Sequence, residues 1–256
     1  MRNLSLLFGL VLLVHGVFGV DEVSVSVMVG DSLTLNSDLT EKGDELQWKI
    51  EGESNIIAQI DREANKISVP GNNEERFRDR LKLDEKTGSL TITNIRTTDS
   101  GVYELKIKDS MNENKNRFSV TVRDEMKTVS VNEGDSVTLR TGVIDIQIYD
   151  LILWKFKDHL IAKIIKLTNQ MSLYDTSDER FKGRLQLNEK TGSLSISKSR
   201  ISDSEDYSLH MISSSYTVQR TIGVTVTDSR SSGAVSGISG VVLMLWAVTV
   251  FLLHEV

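Results

Sequence analysis

The chain of 256 residues contains no cysteine. A disulfide, a thiolate-bound metal and a cysteine nucleophile are therefore excluded, and any fold must stand on burial and hydrogen bonding alone. Histidine is nearly as scarce. Of four, His15 and His254 fall in the apolar ends of the chain, and His159 and His210 have no partner at metal-ligand or triad spacing. No glycine-rich phosphate loop and no nucleophile elbow are present. Carboxylates are abundant but scattered over turns and alternate strand positions. These absences predict a protein that is not an enzyme, with no cofactor, no metal and no small-molecule substrate. The net charge of −6 supplies no basic field to recruit nucleic acid. The one Asn-x-Ser/Thr triplet, Asn3-Leu4-Ser5, lies at the extreme N-terminus, so little or no N-glycan is expected.

What the chain does have is a repeat. Glu75-Arg76-Phe77-Arg78-Asp79-Arg80-Leu81 and Glu85-Lys86-Thr87-Gly88-Ser89-Leu90 return 104 positions later as Glu179-Arg180-Phe181-Lys182-Gly183-Arg184-Leu185 and Glu189-Lys190-Thr191-Gly192-Ser193-Leu194. Gly30-Asp31-Ser32 and Gly134-Asp135-Ser136, Asp99 and Asp203, and Tyr103 and Tyr207 keep the same register. Solenoid repeats run at about 20 to 50 residues, so a period this long indicates duplicated domains.

The two ends suggest where those domains reside. Arg2 precedes an apolar run from Leu4 to Val14 that closes on Val17-Phe18-Gly19, the pattern of a secretory signal peptide over 1–19. Near the C-terminus, 229–240 is small and polar and 241–253 is apolar. Two readings fit this tail. A glycolipid-anchor signal needs small residues at the attachment point, a polar spacer and a hydrophobic tail of about 10 to 20 residues, which places attachment at Ser231 or Ser232. A transmembrane helix beginning near 233 would be just long enough to span, but Lys and Arg are missing from its inner flank. The glycolipid anchor is the favoured reading. Either one places the protein on the extracellular face of the plasma membrane.

Between these ends lie short strands separated by turns. Val23-Ser24-Val25-Ser26-Val27, Ser32-Leu33-Thr34-Leu35, Leu46-Gln47-Trp48-Lys49-Ile50 and Tyr103-Glu104-Leu105-Lys106-Ile107 alternate with period two. Turn signals recur every 8 to 12 residues, the pattern of an antiparallel β-sandwich. The fold class is thus all-β, with one sandwich over 20–124 and a second over 125–228. Arg123-Asp124-Glu125 forms a linker short enough to limit the angles between them.

Gly30-Asp31-Ser32-Leu33-Thr34-Leu35, Trp48, Arg80, Gly88-Ser89-Leu90-Thr91-Ile92 and Asp99-Ser100-Gly101-Val102-Tyr103 resemble the immunoglobulin variable-type domain. Trp154, Arg184 and Asp203-Ser204-Glu205-Asp206-Tyr207 extend the resemblance to the second repeat, although Glu205 stands where that family has glycine and is expected to weaken the turn. The resemblance implies that Trp48 and Trp154 are buried, that Arg80 pairs with Asp99 and Arg184 with Asp203, and that Tyr103 and Tyr207 bond back to the chain just upstream. It also places the family's two cysteines at Ser37 and Leu105, and at Thr141 and Leu209. The leucines fill core volume there, and each hydroxyl then needs a hydrogen bond.

The same resemblance implies a recognition protein that binds through the C, C′, F and G strands of its first domain. Alternation turns Gln47, Lys49, Glu51, Gln59, Glu104, Lys106 and Lys108 outward on that face, and the loop Lys108 to Asn116, including Asn112, is expected to be its most adaptable element. The tandem plan is similar to the signalling lymphocytic activation molecule family and lymphocyte adhesion ligands. That similarity implies an immune-type receptor or ligand whose partner is another cell-surface protein, immunoglobulin-like and either homophilic or heterophilic. The alternatives are a decoy receptor for a secreted ligand and an ancillary subunit of a membrane receptor.

Overall fold

The computed structural model describes residues 22–37, 45–125, 127–143, 145–174 and 179–228. The expected signal peptide, Ser231, Ser232 and the apolar tail lie outside these residues. Among the described residues no helix is long and apolar enough to cross a membrane.

The architecture is all-β. The first repeat forms β1 (Glu22–Met28), β2 (Ser32–Leu35), β3 (Glu45–Ile50), β4 (Ile56–Asp61), β5 (Lys66–Ser68), β6 (Leu81–Leu83), β7 (Leu90–Ile92), β8 (Gly101–Lys108) and β9 (Glu113–Arg123). The second forms β10 (Thr128–Asn132), β11 (Val137–Leu139), β12 (Leu151–Phe156), β13 (His159–Ile165), β14 (Gln170–Leu173), β15 (Leu185–Leu187), β16 (Leu194–Ile196), β17 (Glu205–Ile212) and β18 (Tyr216–Thr227). Period-two alternation decides which side chains are buried. In β3, Leu46, Trp48 and Ile50 are buried while Glu45, Gln47 and Lys49 are not, and β12 repeats the pattern.

Each core is built around an indole and a turn. Trp48 and Trp154 are fully buried, and their Nε1–H groups donate to the carbonyls of Gly88 at 2.9 Å and Gly192 at 2.8 Å. Beside them the hydroxyls at the cysteine-equivalent positions find the partner that burial demands. Ser37 Oγ donates to the Thr87 carbonyl, and Thr141 Oγ1 to the Thr191 carbonyl at 2.6 Å. Leu105 and Leu209 are fully buried opposite. The Thr-Gly-Ser turn therefore receives an indole from the opposite sheet, a tie between the sheets where a disulfide would otherwise stand, and a hydroxyl from its own sheet. Gly192 has φ +67°, and a Cβ there would lie 3.0 Å from Ile146 Cγ2, so both conformation and space select glycine.

At the other end of each sandwich an arginine grips an aspartate in two-pronged fashion. Arg80 reaches Asp99 at 2.6 and 2.8 Å, and Arg184 reaches Asp203 at 2.8 and 2.9 Å. The Tyr103 and Tyr207 hydroxyls donate to the Asp99 and Asp203 carbonyls. Glu205 does not weaken its turn by strain. Gly101 has φ 155°, whereas Glu205 has no positive φ and forms an ion pair with Lys157 at 3.2 Å.

The two sandwiches share a sheet. In the first, β1 pairs parallel with β9, so the position beside β2 where strand A of such sandwiches lies is left open. β18 of the second sandwich fills it, with Tyr216, Thr217, Val218 and Gln219 opposite Leu35, Thr34, Leu33 and Ser32. The result is a continuous sheet in the order β14-β13-β12-β17-β18-β2-β7-β6. The short linker read from the sequence gave no sign of this shared ladder.

Beneath that seam Asp31 is completely buried. Its carboxylate accepts from Arg220 Nη2 at 2.8 Å, Arg220 Nε at 3.1 Å and the Met28 backbone N–H at 2.9 Å, and Lys127 Nζ lies 2.5 Å away. Arg220 also donates to the Thr141 carbonyl. Gly142 packs so closely that a Cβ would come 2.2 Å from Met28 Cε. The equivalent Asp135 is exposed. Removing one partner of a buried pair strands the others without a counter-charge, at a cost of about 3–5 kcal/mol. Asp31→Ala is therefore expected to lower the urea unfolding free energy by about that amount. Asp135→Ala should change it by less than about 0.5 kcal/mol.

Candidate functional site

The outer face of the first sandwich is laid out by cross-strand register. Asp61, Glu45, Lys108 and Glu113 form one row across β4, β3, β8 and β9. Gln59, Gln47, Lys106 and Lys115 form the next, and Lys49, Glu104 and Arg117 a third. Of the residues singled out from sequence, Gln47, Lys49, Gln59, Glu104 and Lys106 lie together in the centre and are partly exposed, while Glu51 and Lys108 are exposed at its margins. Asn112 is exposed at the tip of the β8–β9 hairpin and stands apart from that centre.

The face is a lattice of opposite charges. Lys106 Nζ lies 2.8 Å from Glu113 Oε2, and Arg117 Nη2 lies 2.6 Å from Glu51 Oε2 and 3.7 Å from Glu22 Oε2. The Lys106–Glu113 hydrogen bond pushes the lysine pKa up and the glutamate pKa down, so both are charged at neutral pH. Sequence reasoning missed Glu113, Lys115 and Arg117. Their strand was read as loop up to Asn116, yet the alternation of charges at 113, 115 and 117 was there to be read.

The β8–β9 loop is shorter and tighter than expected. Strand pairing runs out to Lys108 and Glu113, leaving four residues for the turn. The Asp109 carboxylate accepts from the Met111 N–H at 2.7 Å and the Asn112 N–H at 2.6 Å, and these bonds hold its pKa down. An aspartate that captures the backbone two and three residues on closes the turn by itself. An open cleft of about 380 Å³ lies beside it, lined by Glu45, Asp61, Glu63, Lys108, Asp109 and Ser110. Among the described residues no group of three or more His, Asp or Glu could hold a metal.

Residues 20–123 match the family model of the immunoglobulin V-set domain. That match spans the first sandwich, and the second repeats its strand plan. V-set domains are typically extracellular or cell-surface recognition modules without enzymatic activity. No curated protein matches the chain in sequence. Among solved structures it is similar to extracellular domains 3–5 of Drosophila OTK, with 13% identity over 80% of this chain and 63% of that one, at a TM-score of 0.30. The chain thus spans about three-fifths of that fragment. It is also similar to CD84 of the SLAM family, with 15% identity over 41% of this chain and all of that one, at a TM-score of 0.33. For the CD2-binding domain of CD58 the values are 13% identity, 80% and 98% coverage, and a TM-score of 0.34. These likenesses concern the fold alone.

Exposed ion pairs contribute little to stability because water already solvates both charges. Lys106→Ala is accordingly expected to leave the thermal unfolding midpoint unchanged within error, in low and in high salt, which a calorimetric scan would check.

Proposed function

We propose that this chain is a cell-surface recognition protein of the immune receptor or ligand type, which binds another surface protein through the β3–β4–β8–β9 face of its V-set domain. The observation that supports this most directly is the composition of that face. Its rows of mixed charge are held in fixed register by a sheet whose reverse side is a closed core. Such a surface gives specificity and fast association more than tight binding. Gln47, Lys49, Gln59, Glu104 and Lys106 would make the central contacts, with Glu51, Lys108 and Asn112 around them.

Placement on the membrane is part of the proposal. β18 ends at Thr227, and the chain then enters the small, polar and apolar segments read as a glycolipid-anchor signal. A phosphatidylinositol-specific phospholipase should release a tagged ectodomain from cells expressing the full chain. Retention, with an anchored control released, would instead show a membrane-spanning tail.

The binding face is tested by charge reversal. Cells displaying the chain should bind a panel of lymphoid cells or surface ectodomains. The double variant Glu104→Lys, Lys106→Glu should reduce that binding at least tenfold, mainly by slowing association and at unchanged surface expression. Equal binding by the variant would remove this face from the proposal.

A further inference from the structure

The second sandwich presents the same outer face with a different chemistry. Where the first has Asp61, Glu45, Lys108 and Glu113 in register, the second has Ile165, Leu151, Ile212 and Thr217. The adjacent row replaces Gln59, Gln47, Lys106 and Lys115 with Lys163, Leu153, His210 and Gln219. All but Gln219 are partly exposed, so the apolar groups border solvent and are not part of the core. Burial and Lys155 push the His210 pKa down, so this ring is neutral at pH 7. The first sandwich serves as an internal control: the same fold carries charges at these positions, so the apolar set is not demanded by folding.

The shared sheet enlarges this face. From Thr217 the row continues onto Thr34, Thr91 and Lys82 of the first sandwich, with the two threonine hydroxyls bonded at 2.8 Å. Seven residues in register across seven strands span roughly 29 Å at about 4.8 Å per strand. The adjacent row continues from Gln219 onto Ser32, and a third, Lys155, Ser208 and Thr221, stays within the second sandwich; together the three rows cover roughly 500 Å² in projection, which with side-chain relief approaches the about 800 Å² per partner of a standard interface.

We propose that this composite face is a homodimer interface whose occupant is the same face of a second copy. No like charges meet when the face is set against its own copy. Sheets packed face to face keep their strands nearly aligned, and a two-fold axis along β17 places β12 over β18 and β13 over β2. Ile212 then meets its own copy, and Leu151 and Ile165 meet Thr217 and Thr34. Lys155 and Lys163 lie over Thr221 and Ser32, and no lysine faces a lysine. The axis runs along the strands, so both copies of Thr227 emerge at the same end, as two chains tethered in one membrane require. The dimer does not depend on that tether or on binding through the first sandwich.

The test uses the full chain in detergent. Sedimentation velocity should show a reversible monomer–dimer equilibrium. The triple variant Ile165→Asp, Leu151→Glu, Ile212→Lys installs the residues the first sandwich carries at these positions, and it should be monomeric with an unchanged thermal unfolding midpoint. A native chain that stays monomeric, or a triple variant that still dimerises, overturns the proposal. Should the triple variant fail to fold, the cysteine-free background supplies a second measurement. Ile212→Cys should be joined into a dimer by a short bis-maleimide linker and Lys106→Cys should not, because face-to-face sheets lie about 10 Å apart. Cross-linking at neither position, or at both alike, overturns the interface.

Discussion

The buried carboxylate of Asp31 is the constraint on which the relation between the two halves depends. It is fully enclosed, and two of its cationic partners, Arg220 and Lys127, come from the other sandwich. A buried ion is tolerated only when its hydrogen-bonding capacity is met, and here a backbone amide and three side-chain nitrogens meet it. The joint is therefore selective. Separation of the sandwiches would expose the β2 edge and break the hydrogen bonds that hold these charges in place. Gly142 sits at this close approach with φ +73°, a conformation that side chains rarely adopt.

Within each sandwich the lack of cysteine is met by the same local device. An indole N–H and a hydroxyl donate to consecutive carbonyls of the Thr-Gly-Ser turn, and a leucine fills the remaining volume. Each bond contributes only about 1 kcal/mol net, less than the roughly 2–4 kcal/mol typical of a disulfide. The rest comes from burial. In the second core Phe156, Phe181 and Tyr207 form an edge-to-face cluster, and in the first Trp48 packs 5.7 Å from Phe118. The duplication kept this solution intact, as it kept the arginine–aspartate grip and the tyrosine above it.

Much of this was legible in the sequence, because it is local or periodic. Alternation at 46, 48 and 50 marked the buried face of β3, and the same alternation around Trp154, 106 positions on, marked that of β12. The outward set on the first sandwich followed from the same period. The seam between the sandwiches was not legible. Nothing in Gly30-Asp31-Ser32 distinguishes it from Gly134-Asp135-Ser136, yet one aspartate is buried and the other exposed. The difference lies at Arg220 and Lys127, far away in sequence, and cross-strand pairing of that range leaves no periodic trace. The β8–β9 turn was misjudged for a related reason. Polar residues at 113–116 read as loop, whereas pairing with β8 and the Asp109 turn make them strand.

The seam also joins unlike edges, β2 of one sandwich to β18 of the other, and such head-to-tail contacts propagate into filaments unless something closes them. Duplication leaves an equivalent pair of edges, β11 of the second sandwich and the start of β9 in the first. The residues there have diverged in the direction that blocks propagation. Counting back 104 positions, Arg220 corresponds to Asn116 and Lys127 to Val23, so the cations that would clasp a second buried aspartate are missing. Asp135 remains in water, and Glu113 and Lys115 place charges along the start of β9, a common means of keeping strand edges from pairing. One copy of the edge carries the cations that join it and the other carries charges that oppose pairing, which favours an edge contact within one chain.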